Sequence, residues 1–167
     1  MIYEFKGVCR HCATEVSVLV HNGRIVGNCP DCTNEPFELS AVEGIVYVVT
    51  NPHQNGVKIG ITSKTVEERI KGLNSTGVAG SFRPVAIFPS KSPKKHEKKV
   101  HEKLTKVRIE KEHFDLEPID AVLKVYRILN KSISPIFYSD EDQDTFNKRL
   151  ELDRITMELK LKGQKAK

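Results

Sequence analysis

Four cysteines constrain the fold of this chain more than any other feature, because all of them lie in the first 32 residues and form two pairs. The pairs are Cys9-x-x-Cys12 and Cys29-x-x-Cys32, with 16 residues between them. A tight turn at each pair can point two thiolates at one centre, and two such turns complete the tetrahedral shell of a structural zinc ion. The spacing therefore predicts one zinc ion held by Cys9, Cys12, Cys29 and Cys32.

The segment between the two pairs has the pattern of a β-hairpin. Residues 15–20 are rich in β-branched side chains, Asn22-Gly23 is a favoured two-residue turn, and residues 24–27 form the return strand. We therefore expect residues 1–40 to form a zinc ribbon in which the metal supplies much of the folding energy. His11 lies inside the first pair and is expected at the surface, since four thiolates already close the shell. Disulfides would need an oxidising compartment, for which the sequence carries no signal.

The composition indicates a globular chain in the cytoplasm. Of 167 residues, 38% are hydrophobic and 29% are charged. The first residues lack the basic and apolar regions of a signal peptide, and no apolar run is long enough to span a membrane. We therefore expect an intracellular protein with no membrane partner.

Basic residues are in excess and are concentrated in one stretch. The formal net charge is +5 and the sequence pI is about 9.0. The crowded cations are Lys94, Lys95, Lys98, Lys99, Lys103, Lys106, Arg108 and Lys111. This charge suits a polyanionic partner, although a lysine run is equally typical of a solvated helix face.

A second pattern of elements, over residues 43–131, predicts an α+β domain in which helices pack on a small sheet. Strands are expected at residues 45–50, 57–62 and 83–88. Helices are expected to begin at Thr65, with a capping box to Glu68, at Ser92-Pro93 and at Pro118. Residues 112–116 are expected to form a short strand or an ordered turn.

The remaining residues, 134–167, are predicted to form a linker and a helix with a basic end. Ser139 and the acidic residues 140–142 suit the start of a helix. Phe146, Leu150, Ile155 and Leu159 form an apolar stripe, expected to pack on the second domain or on another copy of the chain. The sequence leaves the oligomeric state open. The basic end carries Lys160, Lys162, Lys165 and Lys167.

The second domain resembles a known family through motifs in a fixed order. Ile45-Val46-Tyr47 is followed, after ten residues, by Lys58-Ile59-Gly60. Arg69 lies in the next predicted helix, Glu97 in the helix after the third strand, and Glu112-His113-Phe114 comes later. Over residues 43–130 this order is similar to the GIY-YIG nuclease superfamily, in a phage and bacterial branch that often has lysine in place of the second tyrosine.

This resemblance implies a phosphodiester hydrolase that acts on DNA, or on RNA, with Mg²⁺ or Mn²⁺ as cofactor. Glu97 would bind the ion, and one carboxylate suffices because such ions keep several waters. Arg69 would contact the scissile phosphate, and Tyr47 would act as the general base or position it. Lys58 would supply a positive field beside the phenol. The zinc ribbon would help to bind the substrate.

Several alternatives remain open at these positions. His101 lies four residues after Glu97, hence on the same helix face, and either reaches the ion or a phosphate or packs as a core histidine. Taken alone, Tyr47 is more typical of a core aromatic and Glu97 of a surface ion pair, while Lys58 and Arg69 are equally typical of surface charges. Two other functions also fit the sequence: a catalytically silent module that binds nucleic acid, and a protein-interaction adaptor.

Overall fold

The computed structural model describes residues 1–74 and 79–164. The chain divides into two compact units, Met1–Ala41 and Val42–Lys167. Sheets occur together with four helices in the described residues, so the predicted α+β class is confirmed. Across the same residues, no helix combines the length and the apolar character needed to cross a membrane.

The first unit contains a three-stranded antiparallel sheet in the order β1-β2-β3, with strands β1 (Ile2–Val8), β2 (Glu15–His21) and β3 (Arg24–Val26). The β2–β3 turn has φ values of 49° at Asn22 and 73° at Gly23, as the favoured hairpin turn requires. Strand β1 was not predicted. Most of its side chains are exposed, Ile2 by 63% and Tyr3 by 57%, so it lacks the alternation that marks a half-buried strand.

The core of the first unit is small. Val16 and Val18 on β2 are buried together with Cys9 and Cys29. The ring of Phe37 packs edge-to-face on Phe5, with 4.7 Å between ring centroids. So few apolar groups cannot stabilise a unit of this size without a further constraint.

The second unit is built on a six-stranded sheet in the order β7-β8-β5-β4-β6-β9. The strands are β4 (Gly44–Thr50), β5 (Val57–Thr62), β6 (Arg83–Ser90), β7 (Arg108–Glu110), β8 (His113–Phe114) and β9 (Ile136–Phe137). The helices are α1 (Val66–Leu73), α2 (Pro93–Lys103), α3 (Pro118–Ile128) and α4 (Asp140–Gln164). A single 3₁₀ turn, Thr105–Val107, precedes β7.

Strand β4 is almost wholly apolar because both of its faces are covered. Val46 and Val48 belong to the larger core, which includes residues of α2 and α3. Tyr47 and Val49 point to the opposite face, where they pack with Val66 of α1. A strand buried on both sides has no reason to alternate polar and apolar residues. The side chain of Tyr47 is thereby held in a fixed position.

The tail differs from its prediction in two respects. The expected linker contains β9, whose Ile136 pairs with Ile87 of β6. The apolar stripe of α4 packs only in its first half: Phe146 is buried, whereas Ile155 and Leu159 are 44% and 64% exposed. The reason is that α4 extends past the body against which its first turns pack. The predicted basic end at Lys162, Lys165 and Lys167 lies outside the side chains that the structure describes.

Candidate metal centre and candidate active site

The four cysteines form one cluster in the first unit. Their sulfur atoms all lie within 4.8 Å of one another, with 3.7 Å between Cys9 and Cys32 and 3.5 Å between Cys12 and Cys29. A zinc ion with bonds of about 2.3 Å to four sulfurs in a tetrahedron places those sulfurs roughly 3.8 Å apart. The cluster therefore has the dimensions of a zinc site, and the four cysteines could hold zinc.

The two cysteine pairs adopt the same local structure. In the first, the amide of Ala13 donates to the carbonyl of Cys9 at 2.9 Å; in the second, the amide of Thr33 donates to the carbonyl of Cys29 at 2.9 Å. Ala13 and Thr33 both have a φ of 60°, and the chain then turns back, so that the carbonyls of Thr14 and Asn34 accept from the amides of Cys9 and Cys29. His11 is exposed and accepts a hydrogen bond from Arg10 at 3.2 Å, as expected of a surface residue.

In the second unit, the phenol of Tyr47 lies over Gly60. The two residues face each other on the neighbouring strands β4 and β5, and Tyr47 is fully buried. A Cβ atom at position 60 would lie 2.5 Å from the phenolic oxygen, so only glycine leaves room for the ring. The Nε atom of Arg69, on α1, donates to the Tyr47 oxygen at 3.1 Å. The structure thus joins two of the predicted site residues directly.

An ion pair lies beside this phenol. The Nζ atom of Lys58 is 3.1 Å from Oε2 of Glu112, and the two side chains are 19% and 33% exposed. Glu112 Oε2 would also lie 3.2 Å from a Cβ atom at Gly60, which places it next to Tyr47. The carbonyl of Glu112 accepts from the amide of Ile59 at 2.9 Å, which fixes the β7–β8 turn against β5.

Sequence reasoning assigned no role to Glu112. The signal that could have found it is Lys58, a charged residue on a strand with apolar neighbours. A half-buried ammonium group requires a counter-charge, and the carboxylates that follow in the chain are the candidates. Strand pairing decides which of these carboxylates reaches Lys58, and this pairing cannot be read from the sequence alone.

Glu97 lies on α2 close to the same residues. Burial raises the pKa of its carboxyl, while the charges of His101 and Arg69 lower it and that of Glu112 raises it further. The backbone of Ile61, near the end of β5, also lowers the pKa of this carboxyl. Glu97 is therefore a half-buried carboxylate near the other predicted site residues.

His101 is held against the sheet. Its Nε2 atom is 2.9 Å from the carbonyl oxygen of Ile59, and its ring lies 5.1 Å from that of Phe114. Because a carbonyl only accepts, the proton of the ring is on Nε2. This contact connects α2 to β5.

The electrostatics keep the Tyr47 hydroxyl neutral. Burial raises the pKa of Tyr47 above its ordinary value of 10.0, and the hydrogen bond from Arg69 only partly opposes this. At neutral pH the phenol is therefore protonated. Since its oxygen accepts from Arg69, its own proton is available to a further acceptor.

Comparison with known proteins identifies the family of the second unit. A family model described as the T5orf172 domain matches residues 44–130, just over half of the chain. Tyr47, Lys58, Arg69, Glu97 and His101 all lie within the match. The similarity to the GIY-YIG nuclease superfamily inferred from the sequence is wrong, and so is the GIY-YIG-like description of the fold, because the family model that matches these residues is a different one.

A viral relative has related sequence. The chain is 31% identical over 112 residues to the KilA-N domain-containing protein 315L of Invertebrate iridescent virus 6. The aligned region covers 64% of this chain and 47% of the relative, so the chain spans about half of the relative's length. No solved structure gives a significant match.

Proposed function

The chain belongs to the T5orf172 domain family, and from this premise we propose that it is a metal-dependent endonuclease that hydrolyses phosphodiester bonds in DNA. The family is nuclease-like and associated with nucleic-acid binding, and the similarity to a KilA-N domain-containing protein supports DNA as the substrate. One observation carries the proposal: the Tyr47–Arg69 hydrogen bond and the Lys58–Glu112 ion pair both lie next to Gly60.

Arg69 would hold the scissile phosphate. Its Nε–H is engaged with Tyr47, and the two terminal nitrogens can form paired hydrogen bonds with phosphate oxygens. The phosphate would then lie directly in front of the Tyr47 hydroxyl. This hydroxyl would orient the attacking water through its free proton. Its raised pKa favours that positioning role over service as a phenolate base.

Glu97 would bind the divalent cation. The other carboxylate of the site, Glu112, is neutralised by Lys58, whereas Glu97 forms no ion pair with a lysine or arginine in the described part of the chain. Carboxylate oxygen suits Mg²⁺ or Mn²⁺, which bind through one or two carboxylates and keep several waters. When bound, such an ion would neutralise phosphate charge and lower the pKa of water. His101 would position α2 through Ile59.

The first unit would be a zinc ribbon that helps to bind the substrate. Four cysteine ligands close the coordination shell, so the zinc would be structural. Tyr3 and Phe5 lie two residues apart on β1 and are 57% and 45% exposed, which offers two rings on one face of the sheet. Exposed rings of this kind can stack on bases without regard to sequence.

Nicking of supercoiled plasmid tests the enzymatic proposal. The purified full chain is incubated with Mg²⁺ or Mn²⁺ beside Glu97→Ala and Glu102→Ala. Glu102 is the matched control because it is an exposed carboxylate on the same helix, 4.0 Å from Lys98. We expect Glu97→Ala to abolish nicking and Glu102→Ala to retain it. EDTA alone is a weaker control because it also competes for zinc.

Two outcomes would contradict the proposal. Equal nicking by the wild type and Glu97→Ala would remove Glu97 from the site. Absence of nicking by a zinc-loaded wild type that retains plasmid in a binding assay would leave a module that binds nucleic acid without cutting it.

A further inference from the structure

A groove with a volume of about 760 Å³ lies in the second unit beside Arg69. Its walls come from the end of β5, from α1 and from the start of α2. It adjoins the proposed active site at Arg69, which lines the groove and whose Nε atom donates to the Tyr47 hydroxyl oxygen. An occupant of the groove would therefore extend directly into the proposed active site.

Positive charge dominates the walls. Four cations, Lys64, Lys94, Lys95 and Arg69, face two carboxylates from Glu43 and Glu68. The three lysines are exposed, and none of them forms an ion pair with a carboxylate in the described residues. Their charges are thus available to an external anion.

The remaining wall residues indicate which part of a nucleic acid would lie here. Thr62, Ser63 and Ser92 contribute hydroxyl groups, which hydrogen-bond readily to phosphate oxygens. Among the lining residues that the structure describes, none is aromatic, so the groove lacks the stacking surfaces that hold bases. The chemistry of the walls matches a phosphate chain.

We propose that this groove binds the phosphodiester backbone of the strand that is cut, on one side of the scissile phosphate. The inference rests on the proposed function and assigns Lys64, Lys94 and Lys95 as the residues that hold the strand. Their contacts are to phosphates and are independent of base sequence. The lysines farther along α2, which lie outside the groove, contribute only long-range attraction.

The salt dependence of binding tests this assignment. The background is Glu97→Ala, so that the labelled DNA is not consumed, and the probes are one duplex and one single strand of the same sequence. The test compares two triple variants. The groove variant is Lys64→Ala/Lys94→Ala/Lys95→Ala, and the control variant is Lys98→Ala/Lys103→Ala/Lys106→Ala. The second set removes the same charge from exposed positions that do not line the groove. Circular dichroism confirms that both sets are folded.

The groove variant is expected to lose affinity and salt dependence together. Each lysine–phosphate contact contributes about 0.7 to 0.9 to the magnitude of the negative slope of log K against log salt concentration. Loss of three contacts should therefore reduce that magnitude by about 2 to 3. The control variant is expected to leave the slope nearly unchanged. Glu43→Gln/Glu68→Gln removes the two opposing charges and is expected to strengthen binding, a gain that misfolding would not produce.

The outcomes separate this inference from the function on which it rests. Binding with equal slopes for the two lysine variants would overturn the groove assignment and leave the endonuclease proposal intact. Weaker binding by Glu43→Gln/Glu68→Gln would also overturn it. Absence of salt-sensitive binding to either probe would refute both proposals.

Discussion

Substitution of Gly60 by alanine tests whether the space over this residue holds the Tyr47 ring. The new Cβ atom would lie 2.5 Å from the phenolic oxygen and 2.8 Å from Cζ, whereas ordinary contacts begin at 3.4 Å. The ring must therefore shift by about 0.9 Å, although Tyr47 is fully buried and its hydroxyl is bonded to Arg69. The required shift exceeds what a packed core absorbs without cost.

The expected cost has two parts. Overpacking of this kind destabilises a protein by about 1–3 kcal/mol, so we expect the second unit to unfold at a lower temperature or denaturant concentration. A displacement of about 1 Å at a reacting group can cost about 100-fold in rate, so plasmid nicking is expected to fall by about that factor. The loss of rate should persist at temperatures where Gly60→Ala is fully folded.

The assay pairs denaturant unfolding with plasmid nicking and uses Gly72→Ala as the control for stability alone, because Gly72 lines the groove proposed to bind DNA. Gly72 lies on α1, and a Cβ atom there meets no atom within 4 Å. Alanine in a helix is favoured over glycine by about 0.5–1 kcal/mol, so this variant is expected to be slightly stabilised. Adding Tyr47→Phe to Gly60→Ala should recover part of the stability, since it removes the nearest atom, without restoring the rate.

One result would refute the reasoning. If Gly60→Ala unfolds and cuts like the wild type, the Tyr47 ring is not confined by the backbone at position 60. If stability falls while the rate is unchanged, the packing is as described but the exact place of the phenol does not matter to the reaction.

Three further predictions concern the metal centre, the ion pair and pH. Removal of zinc by a chelator, or Cys29→Ser, is expected to unfold the first unit, seen as loss of its amide exchange protection; an unchanged exchange pattern would contradict the structural role of the metal. Glu112→Gln is expected to lower the nicking rate at least about tenfold without unfolding the protein, because Lys58 loses its charged partner. A rate equal to that of the wild type would show that the reaction does not need the ion pair. Burial, and then the charge of Lys58, lower the pKa of His113, so the folded protein should lose stability as pH falls below about 6.5. His113→Gln should weaken this dependence of stability on pH. The same pH profile in the wild type and the variant would contradict the role of His113.

Local patterns in the sequence predict much of the fold. The cysteine spacing and Asn22-Gly23 indicate the first unit because they specify a turn or a ligand within a few residues. Thr65 and the prolines at 93 and 118 mark the starts of helices for the same reason, and Thr65 Oγ1 accepts from the Glu68 amide at 3.3 Å. Strands β1 and β9 were missed because their pairing is decided by distant partners, and their own residues are mostly exposed.

The candidate site shows the same division between local and long-range information. The prediction of Tyr47, Lys58, Arg69 and Glu97 rested on the order of their motifs along the chain, because each residue alone also suits an ordinary core or surface position. Glu112 could not be assigned a role in this way, because its role comes from the pairing of β8 with β5, which brings a turn residue 54 positions away to within 3.1 Å of Lys58. The need for glycine at position 60 likewise becomes apparent only when β4 and β5 are paired, because the pairing places Tyr47 opposite Gly60.

The Lys58–Glu112 ion pair would allow the carboxylates of Glu97 and Glu112 to have different tasks in the proposed reaction. If Glu97 and Glu112 were both unpaired, each would raise the pKa of the other and one would tend to hold a proton, which would weaken its affinity for a cation. Lys58 is the counter-charge of Glu112, so in the proposed reaction the negative charge left for a divalent ion would be that of Glu97. A tyrosine at position 58 could not supply that charge. If the proposed function is correct, Lys58 and Glu112 act together through this ion pair, and substitution of either is expected to disturb the same step.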